Sequence, residues 1–146
     1  MSVELPFAPV DDIIRRNAGG LRVSSGAAER LAAWIQRRGA ARARTAADRA
    51  ETEGRKTLMT GDFGADSPPS KAELALPIAP IDRVARLDID DRYRVSMDAR
   101  VALAAQLEAD ADDVAVVAAK LARHADRRTV KAEDIDTYDD LKPHFT

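Results

Sequence analysis

The chain has 146 residues, enough for one ordinary domain or two very small ones. Its 23 Lys+Arg stand against 25 Asp+Glu, a formal net charge of −2, which argues against a protein held on nucleic acid by positive charge alone. With no cysteine there is no disulfide scaffold and no thiolate metal site, and with no apolar run near ~18 residues nothing is expected to span a membrane.

The opening MSVELPFAPVDD carries acid where a secretory signal carries Lys or Arg, so a cytoplasmic chain is expected. The 29 alanines against six aromatic residues predict a thin, helical core. Arg outnumbers Lys 18 to 5, and Asp outnumbers Glu 18 to 7. Arg grips phosphate and carboxylate bidentately, which Lys does not.

In chain order, the organising feature is an internal repeat. Leu5-Pro6-Phe7-Ala8-Pro9-Val10-Asp11 returns as Leu76-Pro77-Ile78-Ala79-Pro80-Ile81-Asp82. Arg22-Val23-Ser24 returns as Arg94-Val95-Ser96, and Gly54-Arg55-Lys56-Thr57 is answered by Asp126-Arg127-Arg128-Thr129. The offset is 71 residues in the first match and 72 in the others. The expected division is residues 1–63, a linker at 64–73 of turn and extended residues, and residues 74–146.

Each copy predicts the same elements. A short helix begins near Pro9 or Pro80, where the missing N–H costs nothing; Asn17-Ala18-Gly19-Gly20 ends the first one. Ser24 and Ser96 fit as N-caps of a long second helix. In the second copy Leu103, Leu107, Val114, Val117 and Leu121 form one stripe at helical period. The first copy has a weaker stripe of Leu31, Trp34 and Ile35, then mostly Ala. A third helix starts at Ala132 in the second copy and shrinks to Thr60–Phe63 in the first. Three helices over ~60 residues bury little surface alone, so the copies are expected to pack on each other.

These motifs, twice over and in order, resemble the archaeal histones. The Lys131-Ala132-Glu133-Asp134-Ile135 start of the third helix and Leu121-Ala122-Arg123-His124-Ala125 add to the likeness. The chain looks like a histone doublet: an all-α fold of two tandem histone folds (short, long and short helices) in an intrachain handshake pseudo-dimer. Abundant Asp, scarce Lys and small apolar side chains match the composition of halophilic archaeal proteins.

The resemblance implies a nucleosome-like chromatin protein, bound to double-stranded DNA and associated with the chromosome in the cytoplasm. Helix N-termini, backbone N–H groups and arginines would meet phosphates at three places without reading bases. At one end Arg22 would pair with Arg128 and Thr129; at the other, Arg94 with Lys56 and Thr57. Arg15 and Arg86 fit a basic position of the first helix at the centre, and Arg83 fits the arginine before it. Asp12 stands opposite Arg83, and Arg16 is an extra cation. Arg55 with Asp62, and Arg127 with Asp134, match the family's structural clamp between second loop and third helix. Leu121 and His124 match the surface through which dimers join, whereas Arg49 and Thr52 in the first copy do not. Two chains would then self-associate through the second repeat.

Charge divides between the copies. Residues 1–63 carry net +3 and residues 74–146 net −4. Arg37, Arg38, Arg42 and Arg44 are expected to face Glu108, Asp110, Asp112 and Asp113 where the long helices cross, favouring pairing within the chain.

Other chemistry is weaker. Counting from Asp88, a calcium loop would need Gly and Glu where Tyr93 and Ala99 stand. His124 and His144 lack metal-ligand spacing. Gly19-Gly20 lacks the Lys-Ser/Thr of a phosphate loop, and no base accompanies Ser24. No enzyme, cofactor, metal or small-molecule substrate is therefore expected. Two functions remain: an architectural protein that bends or wraps DNA with little sequence preference, or a protein-interaction module or transcription regulator on the same fold with weak DNA binding.

Overall fold

The computed structural model describes Val3–Phe145. The α-helices are α1 (Phe7–Asn17), α2 (Ser25–Thr52), α3 (Ile78–Ala85), α4 (Met97–His124) and α5 (Ala132–Leu141). Between them lie two-residue strands: β1 (Arg22–Val23), β2 (Thr57–Leu58), β3 (Arg94–Val95) and β4 (Thr129–Val130). A 3-10 turn, Thr60–Phe63, stands where the first copy would carry its third helix, and another is Lys71–Glu73.

Helix boundaries follow local chemistry. The Ala27 N–H donates to Ser24 Oγ (3.0 Å), and the Ala99 N–H to Ser96 Oγ (3.1 Å), so both serines cap as expected. α1 and α3 begin two residues before Pro9 and Pro80. The prolines still lie in the first turn, where no intrahelical acceptor awaits their nitrogen.

The chain forms two compact units. The β1–β4 unit holds Pro6–Ile35 and the chain from Ala109 onward; the β2–β3 unit holds the chain up to Leu5 and Gln36–Glu108. Each unit therefore combines segments of both repeats, with α2 and α4 each contributing a part to both.

In the β1–β4 unit, Val10, Ile13 and Ile14 of α1 are fully buried with Leu31, Ile35 and Val114. α5 is fastened to the start of α2. Trp34 donates from Nε1 to Asp139 (3.1 Å), meets Tyr138 edge-on at 6.2 Å and lies under Lys142. Arg30 pairs with Asp136 on the same helix.

In the β2–β3 unit the second half of α2 buries alanines: Ala43, Ala46 and Ala50 are fully enclosed. Gly39 marks a close approach, since a Cβ there would stand 2.7 Å from Val84 and 3.0 Å from Leu107. Gln106 donates to the carbonyl of Phe63 (2.8 Å), closing the short 3-10 turn. Gln36 and Glu108, at matching repeat positions, are buried acceptors: the Glu4 N–H donates to Gln36 (2.7 Å), and the N–H groups of Ala75 and Leu76 to Glu108 (2.7 and 3.1 Å). Two others from the expected facing clusters have partners elsewhere, Arg44 with Asp88 and Asp112 with Arg16.

Candidate nucleic-acid interface

Each unit contains one corner, where a loop of one repeat is zipped to a loop of the other. In the β1–β4 unit, β1 and β4 pair in parallel, Arg22 opposite Thr129 and Val23 opposite Val130. The Arg22 N–H donates to Arg128 O (2.9 Å), and the Ser24 N–H to Val130 O (3.0 Å). In the β2–β3 unit, Thr57 lies opposite Arg94 and Leu58 opposite Val95. The Arg94 N–H donates to Lys56 O (2.8 Å), and the Ser96 N–H to Leu58 O (3.0 Å). The ladder thus brings Arg22 to Arg128 and Thr129, and Arg94 to Lys56 and Thr57. All four cations are exposed. Among the described residues none of them makes an ion pair.

Behind each corner stands an arginine fork. Arg55 holds Asp62 through both nitrogens (2.8 and 2.7 Å) and donates to Thr57 O (2.9 Å). Asp62 in turn accepts the Met59 N–H (2.7 Å). Arg127 repeats this: it holds Asp134 bidentately (Nη1 at 2.7 Å) and donates to Thr129 O (3.2 Å), while Asp134 accepts the Lys131 N–H (2.8 Å). Both carboxylates are buried, 5% and 2% exposed. The Arg55 bond holds the Asp62 carboxyl below its ordinary range, and Asp62 raises Arg55 in return. Hydrogen bonding to Asp134 likewise raises Arg127. One end of each clamp is the carbonyl of a corner threonine, so the clamp fixes the residue beside the exposed cation.

The loop turns match as well. Gly54 and Asp126, at equivalent positions, both take the left-handed conformation (φ 70° and 60°). Asp126 is the one residue other than glycine with positive φ among those described. Gly19 (φ 56°) also needs its missing Cβ, which would stand 2.4 Å from Arg123 Nη2. Arg123 uses that room to donate to Ala18 O (2.7 Å).

The first-helix cations stand differently. Arg15 pairs with Asp11 (2.6 Å) and Arg16 with Asp112 (2.8 Å) in the β1–β4 unit. Arg83 pairs with Glu4 (3.2 Å) and Arg86 with Asp82 (3.1 Å) in the β2–β3 unit. Sequence reasoning placed these arginines on the helices but missed their acids. Its usable signal was the i, i+4 spacing of Asp11 and Arg15, and of Asp82 and Arg86. Leu121 is half-buried and His124 exposed at the end of α4. Arg49, the counterpart of Leu121, donates to Asp62 O (2.8 Å). No group of residues suited to a metal ion occurs among the described residues, and no described helix is long and apolar enough to cross a membrane.

The chain is similar to known proteins. The family described as "Histone-like transcription factor (CBF/NF-Y) and archaeal histone" matches residues 74–137. The archaeal histone HAN1 of Thermococcus zilligii is 55% identical over 60 residues, 41% of this chain and 87% of that protein. Among solved structures, the histone from Methanopyrus kandleri superposes with a TM-score of 0.66 at 21% identity over 90% of both chains. A protein of Thermus thermophilus superposes with a TM-score of 0.72 at 17% identity, covering 98% of this chain and 99% of that one. At those identities the two structures speak for the fold.

Proposed function

Because the chain belongs to the family of histone-like transcription factors (CBF/NF-Y) and archaeal histones, we propose that it is an architectural protein of the chromosome that bends or wraps double-stranded DNA with little sequence preference. The observation that carries this reading is the pair of corners. In each, exposed cations from distant parts of the chain stand side by side on a hydrogen-bonded ladder, with no ion pair to an acid among the described residues. Exposed arginine and lysine side chains beside threonine hydroxyls are the chemistry that meets phosphate without reading a base.

The same reading takes the chain as a histone doublet of a halophile. Residues 1–63 and 74–146 are its two folds, joined by 64–73 and clasped as a handshake pseudo-dimer. The mixed make-up of each compact unit supports the clasp. The skew toward Asp and the net charge of −2 support a protein that works in high salt. Two such chains associate through Leu121 and His124, and the arginine at position 49 closes the corresponding surface of the first repeat. Sedimentation in high salt should then give two chains at most, shifting toward one with His124→Ala. Open-ended rods overturn this part.

The deciding experiment is DNA retention across a salt series on duplexes of unrelated sequence. Affinity should vary little with sequence. Arg22→Ala with Arg128→Ala should reduce the slope of log affinity against log salt by about 1.8, near 0.9 for each lost phosphate contact. An unchanged slope favours the second reading, a pairing module or transcription regulator with weak DNA binding. What speaks for that reading is the net −4 on residues 74–146.

A further inference from the structure

Among the described residues the corner cations carry no ion pair, whereas Arg15, Arg16, Arg83 and Arg86 are each ion-paired. We propose that carboxylates of the chain itself hold the four first-helix arginines away from phosphate, so that DNA is gripped at the corners and these acids set how tightly. This rests on the DNA-binding reading above and adds the residues that restrain it.

Arg16 shows the device most fully. It meets Asp112, 96 residues away, fork to fork: Nε to Oδ1 at 2.9 Å and Nη2 to Oδ2 at 2.8 Å. Asn17 aims the carboxylate, donating from Nδ2 to the same Oδ1 (2.7 Å) and to Ile13 O (2.8 Å). Two parallel N–H donors onto two oxygens is the geometry by which arginine takes a phosphate. Here a carboxylate already fills it.

Arg15 donates from Nε to Asp11, whose side chain is only 13% exposed, so this acid is fixed against the protein. In the other unit Asp82 receives Arg86 through both oxygens (3.1 Å each) and Arg100 as well (3.1 Å), and Glu4 receives Arg83. An exposed ion pair is weak in itself. The restraint comes from position: the acid remains beside the arginine when a phosphate approaches, cancels its charge and repels the phosphate.

The test is a fluorescence anisotropy titration of the intact chain on a duplex over a range of KCl. Asp11→Asn with Asp112→Asn should tighten binding and steepen the salt slope by about 0.9 for each arginine released, ~1.8 in all. Asp113→Asn with Asp140→Asn removes the same charge from two exposed acids that make no ion pair among the described residues, and should leave the slope unchanged. Adding Arg16→Ala to the first pair should cancel about half of its gain. Should that pair fail to fold, as read by circular dichroism, Glu4→Gln with Asp82→Asn puts the same question to the other unit. Equal slopes for acid-pair and control variants overturn the proposal. A parent chain that retains no DNA at any salt overturns the reading beneath it as well.

Discussion

The two units share a corner and differ in what stands behind it. In the β1–β4 unit the clamp aspartate opens the ten-residue helix α5, which is fastened to α2 by Trp34, Tyr138 and Asp139. In the β2–β3 unit it sits in a four-residue 3-10 turn, and the position matching Trp34 is Gln106, spent on the carbonyl of Phe63. Ladder register, clamp contacts and left-handed loop residue are nevertheless the same. The corner is therefore a local construction: one arginine, one buried carboxylate and one turn of helix suffice to fix it. The remainder of a third helix serves its own unit's core.

The largest break between the units should come at the matched pair Trp34 and Gln106. Trp34→Ala removes a large side chain only 6% exposed and should cost ~3–5 kcal/mol in urea unfolding. Gln106→Ala removes the hydrogen bond to Phe63 O (2.8 Å) and a longer one from Arg42 (3.4 Å), and should cost about 1–2 kcal/mol. Equal costs would mean that the short turn carries as much packing as the full helix.

At the clamps the units should instead agree. Asp62→Ala and Asp134→Ala each take the bidentate partner from an arginine and the acceptor from a main-chain N–H, and each should cost ~2–3 kcal/mol. Hydrogen exchange at the Arg94 and Arg22 amides should quicken in the matching corner only. A much smaller cost for Asp134→Ala would show that α5 can hold its corner unaided.

Acid sharpens the same point. Arg55 depresses the folded value of Asp62, so its stabilisation is complete above the unfolded carboxylate value of about 4 and is lost as pH falls through the lower folded one. Urea midpoints from pH 5 to pH 2 should fall less in Asp62→Asn than in the parent.

The smallest effect is expected at the loop. Asp126→Gly relieves a left-handed residue and should stabilise the chain by about 0.5 kcal/mol, while Gly54→Ala should destabilise it by about 1 kcal/mol. Thermal melts of the two variants should therefore move in opposite directions.

Much of this was legible in the sequence because it is written in local motifs. Ser24 and Ser96 announce their helices by chemistry that acts within three residues. The seven-residue spacing of Arg55 with Asp62, and of Arg127 with Asp134, lies within one loop and one helical turn. The meeting of Arg22 with Thr129 is not local; resemblance to a known family supplied it. What escaped was the identity of partners. Periodicity marks Glu108 as one acid on a helix, yet it is a buried acceptor for two main-chain N–H groups. Gly39 looks like a flaw in a helix until Val84 and Leu107 are seen against it. Asp112 reads as part of an acidic cluster, and only the fold brings Arg16 to it.

The joining of distant segments in each corner sets an order of events at the ribosome. The strand bearing Arg22 emerges early, but its partner Thr129 is added only about a hundred residues later. At ~5–20 residues per second that is a wait of ~5–20 s. The corner joining Thr57 to Arg94 has its strands ready sooner. A nascent or prematurely ended chain thus carries the strands of the Thr57–Arg94 ladder without those of the Arg22–Thr129 ladder, and both ladders can stand together only once residue 130 has been added.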